Sequence, residues 1–336
     1  MPGPATKARA ATGFSDTAET VMGTLTAPPS RRFLMRIRNG KMGGVVLLGN
    51  DWLTRHTAAT VTAELQQAAC ARGEPLLIAV DQEGGIVRRL DWAAPTEAPA
   101  YMSSQSVARS QASGAAAALR SVGIDIDFAP VVDTPGSAGN FLGSRAFSHS
   151  RTWNARMSRG FVGGLQTNGI AATAKHFPGL GLANGNTDKG RIVIRAAAWK
   201  LRQGLLPFQS AVRAGVKLVM VSTAVYPKLD GSKRPAAFSS TIINGLLRQQ
   251  LGFEGVTVTD SLTAPAADRI PHTATRAMLA GSDLLIFGAE SASERGYSTL
   301  IADEAGSPRL QARLAQAAAR IRALKAWLAA RGGPTC

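Results

Sequence analysis

Charged side chains directly follow three apolar runs of strand length in this chain. They are Asp81 after Pro75–Val80, Lys175 and His176 after Ile170–Ala174, and Asp260 after Gly255–Thr259. Side chains held at strand ends beside flexible loop backbone are typical of binding and catalytic sites. A carboxylate there acts as a nucleophile or an acid/base, and cations bind polar oxygens. The alternative for an isolated Lys-His pair is an ordinary surface loop.

Each of these side chains also has a purely structural explanation. Asp260 lies in a Thr-Asp-Ser sequence, which is suited to capping the N-terminus of a helix. Asp81 is equally suited to be a structural hydrogen-bond hub, and Arg145, in Gly-Ser-Arg, to pair with Asp133. What an arginine offers beyond such a pair is bidentate recognition of substrate oxygens.

Apolar runs alternate with helical stretches along the chain, and this alternation predicts how the charged residues are positioned. Near-continuous apolar strands are typical of a parallel sheet covered on both faces, and their alternation with helices indicates an α/β fold. Eight such units in 336 residues, counting the weak stretch Val21–Leu25, predict a single (β/α)8 barrel, in which the carboxyl ends of the strands meet at one mouth. A doubly wound open sheet is the alternative, but the sequence contains no Gly-x-Gly-x-x-Gly fingerprint.

We predict a single barrel domain over residues 19–336 that ends in a C-terminal helix, preceded by a poorly ordered segment over 1–18. The predicted strands are Val21–Leu25, Gly43–Gly49, Pro75–Val80, Ile124–Pro130, Ile170–Ala174, Val216–Val221, Gly255–Thr259 and Asp283–Phe287. The predicted helices are Arg31–Gly40, Ala58–Arg72, Ser106–Ser121, Asn154–Asn168, Leu201–Ala214, Ser240–Leu251, Ala266–Ala280 and Pro308–Ala330.

Basic residues outnumber acidic ones by 38 to 22, which gives a formal net charge of +16. Such an excess favours anionic partners. However, the sequence has no compact basic run interleaved with aromatic residues and no nucleic-acid-binding motif. We therefore interpret the charge as diffuse surface charge and predict no nucleic-acid partner.

Three further features bear on the cellular context. No apolar run has the length of a membrane span, so no membrane association is predicted. The N-terminal sequence MPGPATKARAATGF has no apolar h-region, so we expect a cytoplasmic protein, with export as the alternative. The two cysteines are interpreted as a buried thiol at Cys70 and a thiol in a frayed tail at Cys336, with neither a disulfide framework nor a zinc site.

The string KHFPG at a strand end resembles the family 3 glycoside hydrolases, in particular their compact beta-N-acetylglucosaminidases. In that family the loop runs KHFPGHG and continues to Asp-Ser-His, whose His is the general acid/base oriented by the Asp. Lys175 and His176 match, and the resemblance implies that they hold sugar hydroxyls. Asp188 aligns with the orienting Asp after a small insertion, which places the acid/base position on Gly190.

Other segments match the same family in the same order. The DQEGG segment and the Arg-Arg after it imply that Asp81 and Arg89 bind the sugar, although Ile86 stands where the family usually has Arg. The GSRAF segment implies that Arg145 contacts the acetamido side of the sugar, and GFEGVTVTDSL implies that Asp260 is the nucleophile. Further matches are DFAPVVD (127–133), the Pro-Phe pair of LLPFQSAVRAGV (205–216) and VYP (225–227).

The resemblance implies a bacterial, retaining hydrolase of beta-linked N-acetylglucosaminides, for example cell-wall fragments, with no cofactor or metal and as a monomer. Such a reaction needs a carboxylate nucleophile and a proton donor. We expect Asp188 to replace the missing His if its loop folds inward and burial raises its pKa. His149 is the other unassigned imidazole near a strand-end loop. The alternatives are a catalytically impaired sugar-binding or regulatory protein, and an altered glycosidase or phosphorylase.

Overall fold

The computed structural model describes residues 15–49, 52, 54–137 and 139–336. Its strands, β1 to β10 in chain order, are Val21–Leu25, Gly44–Leu47, Leu77–Val80, Gln82–Gly84, Val87–Arg88, Ile126–Asp127, Ala171–Phe177, Leu218–Val221, Val256–Thr259 and Leu285–Ile286. Its helices, α1 to α10, are Asp16–Glu19, Arg31–Arg38, Arg55–Cys70, Gln105–Ser121, Arg151–Thr167, Ala198–Gln203, Leu206–Arg213, Thr273–Ala280, Glu290–Glu304 and Pro308–Ala329. A π-helix spans Thr241–Gln250, and short 3-10 helices span Pro99–Tyr101, Gly143–Arg145 and Ala236–Phe238.

Eight parallel strands form the central sheet in the order β10-β1-β2-β3-β6-β7-β8-β9. The two ends of this order also meet, because Val258 of β9 forms a parallel bridge with Leu284 next to β10. The ring is therefore closed, and β4 and β5 form a separate antiparallel hairpin that follows β3 directly. The predicted single (β/α)8 barrel is confirmed. The doubly wound open sheet is not the architecture of this chain.

The barrel interior is filled by one apolar side chain or more from every parallel strand. The residues of this interior cluster on the strands include Met22, Val46, Ala79, Ile126, Ala171, Met220, Val258 and Ile286. The remaining apolar side chains of the strands pack outward against the helices. This two-sided burial explains why the strands are near-continuous in apolar residues rather than alternating.

Helix α10 closes the end of the barrel at which the strands begin. Its residues Ile321, Leu324 and Leu328 belong to the interior cluster. Arg313 pairs with the buried Asp283 just before β10 at 2.6 Å, and Lys325 pairs with the buried Glu19 just before β1 at 2.8 Å. The opposite end, where the strands finish, is left for the site.

Among the described residues, no helix combines the length and the hydropathy that a membrane span requires.

Several element boundaries differ from the sequence predictions. Strand β7 continues through Phe177, so Lys175 and His176 lie within a strand rather than in the loop after it. The predicted helix 266–280 begins only at Thr273, because Pro271 lacks an amide hydrogen and disfavours helical backbone before it. The stretch 201–214 is divided between α6 and α7, and α9 was not predicted.

The predicted poorly ordered segment over 1–18 falls mostly outside the described residues, which begin at Ser15. Its last residues form α1, whose N-terminus is capped by the Ser15 hydroxyl oxygen accepting the Ala18 amide at 3.1 Å. Thr17 and Ala18 are buried. The described part of this segment is therefore a helical turn that packs beneath the barrel.

The interpretation of the two cysteines as free thiols is wrong, because Cys70 and Cys336 form a disulfide. Cys70 is the last residue of α3, and the chain terminus returns to it after α10 has crossed the barrel end. The pair is separated by 266 residues, so no local spacing could have indicated it. Disulfides persist in oxidising compartments, and the cytoplasmic location expected from the N-terminal sequence stays a prediction.

We predict that Cys70→Ser lowers the free energy of unfolding by about 2–4 kcal/mol, because the disulfide restricts the unfolded chain across a very long loop. The measurement is urea denaturation of the oxidised protein. Cys336→Ser is the matched control and should give the same loss, and the double substitution should add nothing. A clearly larger loss from one cysteine than from the other would show that the thiol environment matters more than the cross-link.

Candidate active site

The charged residues predicted at the strand ends lie at the mouth opposite α10. Asp81 follows β3, Lys175 and His176 end β7, and Asp260 follows β9. The Asp260 amide donates to the Val221 carbonyl at 2.8 Å, which extends the β8–β9 pairing to Asp260 itself. Its carboxylate accepts the Ser261 amide at 2.8 Å. Because the next helix begins at Thr273, Asp260 does not serve as its N-cap, and that structural alternative is excluded.

A buried charge network joins three of these strand ends. The Lys175 ammonium lies 2.5 Å from Asp81 Oδ1 and 2.5 Å from Glu83 Oε1. Glu83 also accepts both Nε and Nη2 of Arg145 at 2.8 Å, a bidentate pair. Arg145 therefore pairs with Glu83, and not with Asp133, which was the structural alternative to its predicted role in sugar binding. With Nε and Nη2 committed in this way, Nη1 is the edge of the guanidinium that is left to meet a ligand oxygen.

The electrostatics of the network follow from its geometry. Burial alone would raise the pKa of Glu83, but Lys175 and Arg145 outweigh it and hold the pKa at about 2. Burial alone would lower the pKa of Lys175, but the carboxylates of Asp81 and Glu83 outweigh it and raise that pKa. Two carboxylates thus balance two cations, and these opposite charges favour the ionised forms of Glu83 and Lys175.

Glu83 is a member of the charge network that the sequence pattern does not indicate, since the DQEGG segment points to its neighbour Asp81. Its carboxylate is fully buried in β4, immediately after the strand that ends at Asp81. A glutamate inside a short loop after a buried strand was the available signal, because a buried carboxylate requires charged partners. Glu83 holds Lys175 and Arg145 in fixed positions without itself facing the mouth.

We predict that Glu83→Gln lowers the free energy of unfolding by about 3–5 kcal/mol, because it leaves two buried cations with one carboxylate. It should also weaken sugar binding, because Lys175 and Arg145 lose their common anchor. Urea denaturation and calorimetry with N-acetylglucosamine are the measurements. Glu64→Gln, on the exposed face of α3, is the control and should change stability by less than about 0.5 kcal/mol. Lost stability with unchanged sugar affinity would restrict Glu83 to a structural role.

His176 is oriented by a carboxylate. Its Nδ1 lies 2.7 Å from Asp133 Oδ2, and because a carboxylate only accepts hydrogen bonds, Nδ1 carries the hydrogen. Asp133 also accepts the amides of His176 at 3.2 Å and Leu180 at 2.7 Å. These three bonds engage both oxygens of Asp133 and direct its carboxylate toward β7 and the loop after it, whereas Arg145 pairs with Glu83. In the neutral ring, Nε2 is then the acceptor available to a sugar hydroxyl.

The loop after β7 is fastened at both ends. A Cβ at Gly181 would lie 1.8 Å from the Thr134 carbonyl, so only glycine permits this close approach. The Gly181 carbonyl accepts the Gly136 amide at 2.8 Å, and the Tyr226 hydroxyl donates to the Gly179 carbonyl at 3.1 Å. At the far end, Ile194 bonds to the Val225 carbonyl. Residues 184–191 form the arch between these anchors.

Asp188 lies in this arch and is exposed, so the burial expected from the sequence is absent. The charge of Asp188 nevertheless acts on Asp260, the predicted nucleophile. Burial is the main cause that raises the pKa of Asp260, and the Asp188 carboxylate raises it further, whereas His176 and Lys175 oppose the rise. At Gly190, where the family's acid/base His would stand, a Cβ would meet no atom within 4 Å.

Arg89 is also predicted to bind the sugar. Among the described residues, no hydrogen bond or ion pair joins it to the other predicted sugar-binding residues. It follows the β4–β5 hairpin, which Gln82 fastens by bonding its side chain to the backbone of Leu90 in both directions at 3.0 Å. Arg89 is half-buried, and its Nε has no hydrogen-bond partner among the described residues. His149 lies outside the network, with Nδ1 against the Pro135 carbonyl at 3.1 Å.

Known proteins resemble this chain over most of its length. Residues 20–324 match the family model described as the glycosyl hydrolase family 3 N-terminal domain. A beta-hexosaminidase of Bordetella avium is 34% identical over 266 residues, which are 75% of each chain. A beta-hexosaminidase of Thioalkalivibrio sulfidiphilus is 33% identical over 277 residues, 79% of this chain and 78% of that one.

Solved structures show the same likeness. The family 3 beta-N-acetylglucosaminidase from Paenibacillus superposes with a TM-score of 0.88 at 31% identity, covering 96% of this chain but only 63% of its own, longer chain. The beta-N-acetylhexosaminidase from Beutenbergia cavernae superposes with a TM-score of 0.85 at 30% identity, covering 94% and 97%. The family model spans residues 20–324, and the two beta-hexosaminidases are 34% and 33% identical to this chain over 75% and 79% of its length. This chain therefore belongs to glycosyl hydrolase family 3.

Proposed function

We propose that the protein is a retaining glycoside hydrolase acting on beta-linked N-acetylglucosaminides, for example cell-wall fragments. In this proposal Asp260 is the nucleophile and Asp188 is the acid/base. The residues proposed to bind the sugar are Asp81, Arg89, Arg145, Lys175 and His176. The observation that carries the proposal is the balanced charge network at one barrel mouth, beside a carboxylate at the end of β9.

The proposed reaction has two steps. Asp260 forms a bond to the anomeric carbon while the bond from that carbon to the leaving oxygen breaks, and Asp188 gives its proton to that oxygen. Water then attacks the glycosyl-enzyme, gives a proton to Asp188 and releases Asp260. Lys175 favours the ionised form of Asp260, and His176 does so when its ring is protonated, so both can support the proposed nucleophile electrostatically as well as by binding hydroxyls.

The charge balance also supports the proposed partner class. Lys175 and Arg145 are already paired with Asp81 and Glu83, so the mouth offers directed hydrogen bonds rather than an excess of positive charge. That suits a neutral sugar better than a polyanionic nucleic acid. We expect the protein to act as a monomer.

A second candidate function is sugar binding without turnover. The observation in its favour is that Gly190 offers no proton donor and that Asp188 is exposed. A protein of this kind would keep the sugar clamp and serve as a sensor or regulator.

The test is hydrolysis of a 4-nitrophenyl beta-N-acetylglucosaminide followed by proton NMR of the first product. We expect the beta anomer of N-acetylglucosamine to appear first and to mutarotate afterwards, because two displacements retain the configuration. The matched beta-glucoside should be a poor substrate. Initial release of the alpha anomer would contradict the mechanism. Sugar binding with no turnover at all would promote the second candidate.

A further inference from the structure

A second cavity lies beside the mouth, on the outer side of the β7 loop. Its volume is about 720 Å³, within the range of small-ligand sites. The loops after β6 and β7, the first turn of α5 and helix α6 line it. None of the sugar-binding or catalytic residues proposed above takes part in its walls. We call this cavity the outer groove.

The side chains of the outer groove are cationic, aromatic and neutral. Arg151 and Lys200 are its charged members, and none of its lining residues is Asp or Glu. Both side chains are exposed, and neither has an ion pair among the described residues. The first turn of α5 adds the positive end of a helix dipole to the same wall. The outer groove is therefore an electropositive concave surface.

Trp199 supplies the flat apolar surface of the outer groove. It is 58% exposed, an unusual degree for an indole, and the Lys200 ammonium lies 5.4 Å from the centre of its ring. A sugar ring presents axial C–H groups on one face and hydroxyls around its edge. An exposed indole beside cations therefore suits a sugar that carries acidic groups.

The outer groove is elongated. A neighbouring cavity of about 400 Å³ shares Arg151 and Gln203 with it and adds Arg202, again with no acidic lining residue. Two joined cavities with three cations along them suit a chain better than a compact ligand.

His149 adds a further polar group to the outer groove. Its Nδ1 must donate to the Pro135 carbonyl, because a carbonyl only accepts. In the neutral ring, Nε2 is then an acceptor suited to a sugar hydroxyl.

One short stretch of backbone separates the outer groove from the sugar site. Residues 178, 179, 181 and 182 line the outer groove. Leu180, between them, turns the other way and donates its amide to Asp133, the partner of His176. The same loop segment thus contacts the site on one side and the outer groove on the other. A chain that leaves the mouth over this segment enters the outer groove directly.

We propose that the outer groove binds a further stretch of the substrate, and that this stretch is an anionic oligosaccharide. Its carboxylates pair with Arg151 and Lys200, and one of its rings stacks on Trp199. This rests on the proposed function, because the outer groove then selects acidic glycans for the neutral N-acetylglucosamine site.

The test compares two hexasaccharides by calorimetry in the Asp260→Asn background, where neither is hydrolysed. One is a hyaluronan hexasaccharide, with a carboxylate on alternate rings, and the other is neutral chitohexaose. We expect the hyaluronan fragment to bind about tenfold tighter at low salt. Arg151→Ala with Lys200→Ala should remove that advantage, and Trp199→Ala should weaken both ligands. Arg38→Ala with Arg309→Ala removes the same charge from α2 and α10 and is the matched control.

Three results would overturn the proposal. Equal affinity for the two hexasaccharides would show that the outer groove does not distinguish an anionic ligand from a neutral one. An equal loss in the Arg38 and Arg309 control would assign the effect to diffuse surface charge. Binding of hexathymidylate as tightly as the hyaluronan fragment would make the outer groove a general polyanion site. Failure of the proposed hydrolase function is recognised separately, because the parent protein would then not turn over the nitrophenyl substrate.

Discussion

Asp260→Asn should reduce the turnover of an activated aryl beta-N-acetylglucosaminide below detection. The substitution is nearly isosteric, and the asparagine Oδ1 can still accept the Ser261 amide that Asp260 accepts at 2.8 Å. The fold and the sugar clamp should therefore survive. What is lost is the anionic oxygen that bonds to the anomeric carbon, and no activated leaving group compensates for that loss.

The measurements are initial rates of nitrophenol release together with calorimetric binding of N-acetylglucosamine, which should be nearly unchanged. Asp268→Asn is the matched control, since it makes the same chemical change at an exposed position of the same loop. It should leave both quantities as they are. Substantial turnover by Asp260→Asn would transfer the nucleophile role to another carboxylate of the mouth, for example Asp81, which pairs with Lys175.

The sequence predicts where the charged residues of the site lie in the barrel much better than it predicts which of them pair with each other. Asp81 and Asp260 follow apolar runs that proved to be strands, and a parallel barrel brings all such strand ends to one mouth. That argument needs only local patterns. It located Lys175 correctly even though the strand runs past it to Phe177.

The connections depend on residues that no local pattern relates. Lys175 pairs with Asp81 across 94 positions, and Arg145 pairs with Glu83 across 62. The structural alternative for Arg145 was a pair with Asp133, but that carboxylate accepts hydrogen bonds from His176 and two backbone amides instead. A choice between two nearby carboxylates is decided by packing, which sequence patterns do not express. The disulfide between Cys70 and Cys336 escaped for the same reason.

The exposure of Asp188 leads to the second large expected effect, which concerns the leaving group. A nitrophenolate departs without a proton, whereas a sugar alkoxide needs one. With only an exposed carboxylate as acid, the protein should cleave the nitrophenyl glycoside measurably and N,N'-diacetylchitobiose much more slowly, by about 10²–10⁴-fold. If Asp188 supplies the remaining acid, Asp188→Asn should slow the disaccharide far more than the nitrophenyl substrate.

The pH dependence of kcat/KM tests the role of Asp188 independently of the leaving group. Burial first, and the Asp188 charge after it, raise the pKa of Asp260. The nucleophile must be ionised, so kcat/KM should fall with decreasing pH through a value above the ordinary aspartate pKa of about 3.9. Asp188→Asn removes one of the charges that oppose ionisation, so this acidic limb should move to lower pH. An unmoved limb would mean that Asp188 lies too far from Asp260 to act as its acid/base partner.

Gly190→His is the converse experiment, because it adds the donor that the loop lacks. A Cβ at Gly190 meets no atom within 4 Å, so the loop has space for the imidazole, two residues after Asp188. An imidazole that Asp188 can orient is a far better acid near neutral pH than an exposed carboxylate. We expect disaccharide cleavage to rise by about 10²-fold or more while nitrophenyl hydrolysis changes little.

Gly231→His, also at a position where a Cβ meets nothing, is the control and should change neither rate. If Gly190→His leaves the disaccharide rate unchanged while Asp260→Asn still abolishes nitrophenyl hydrolysis, proton donation is not what limits this enzyme, and the true acid lies elsewhere in the mouth.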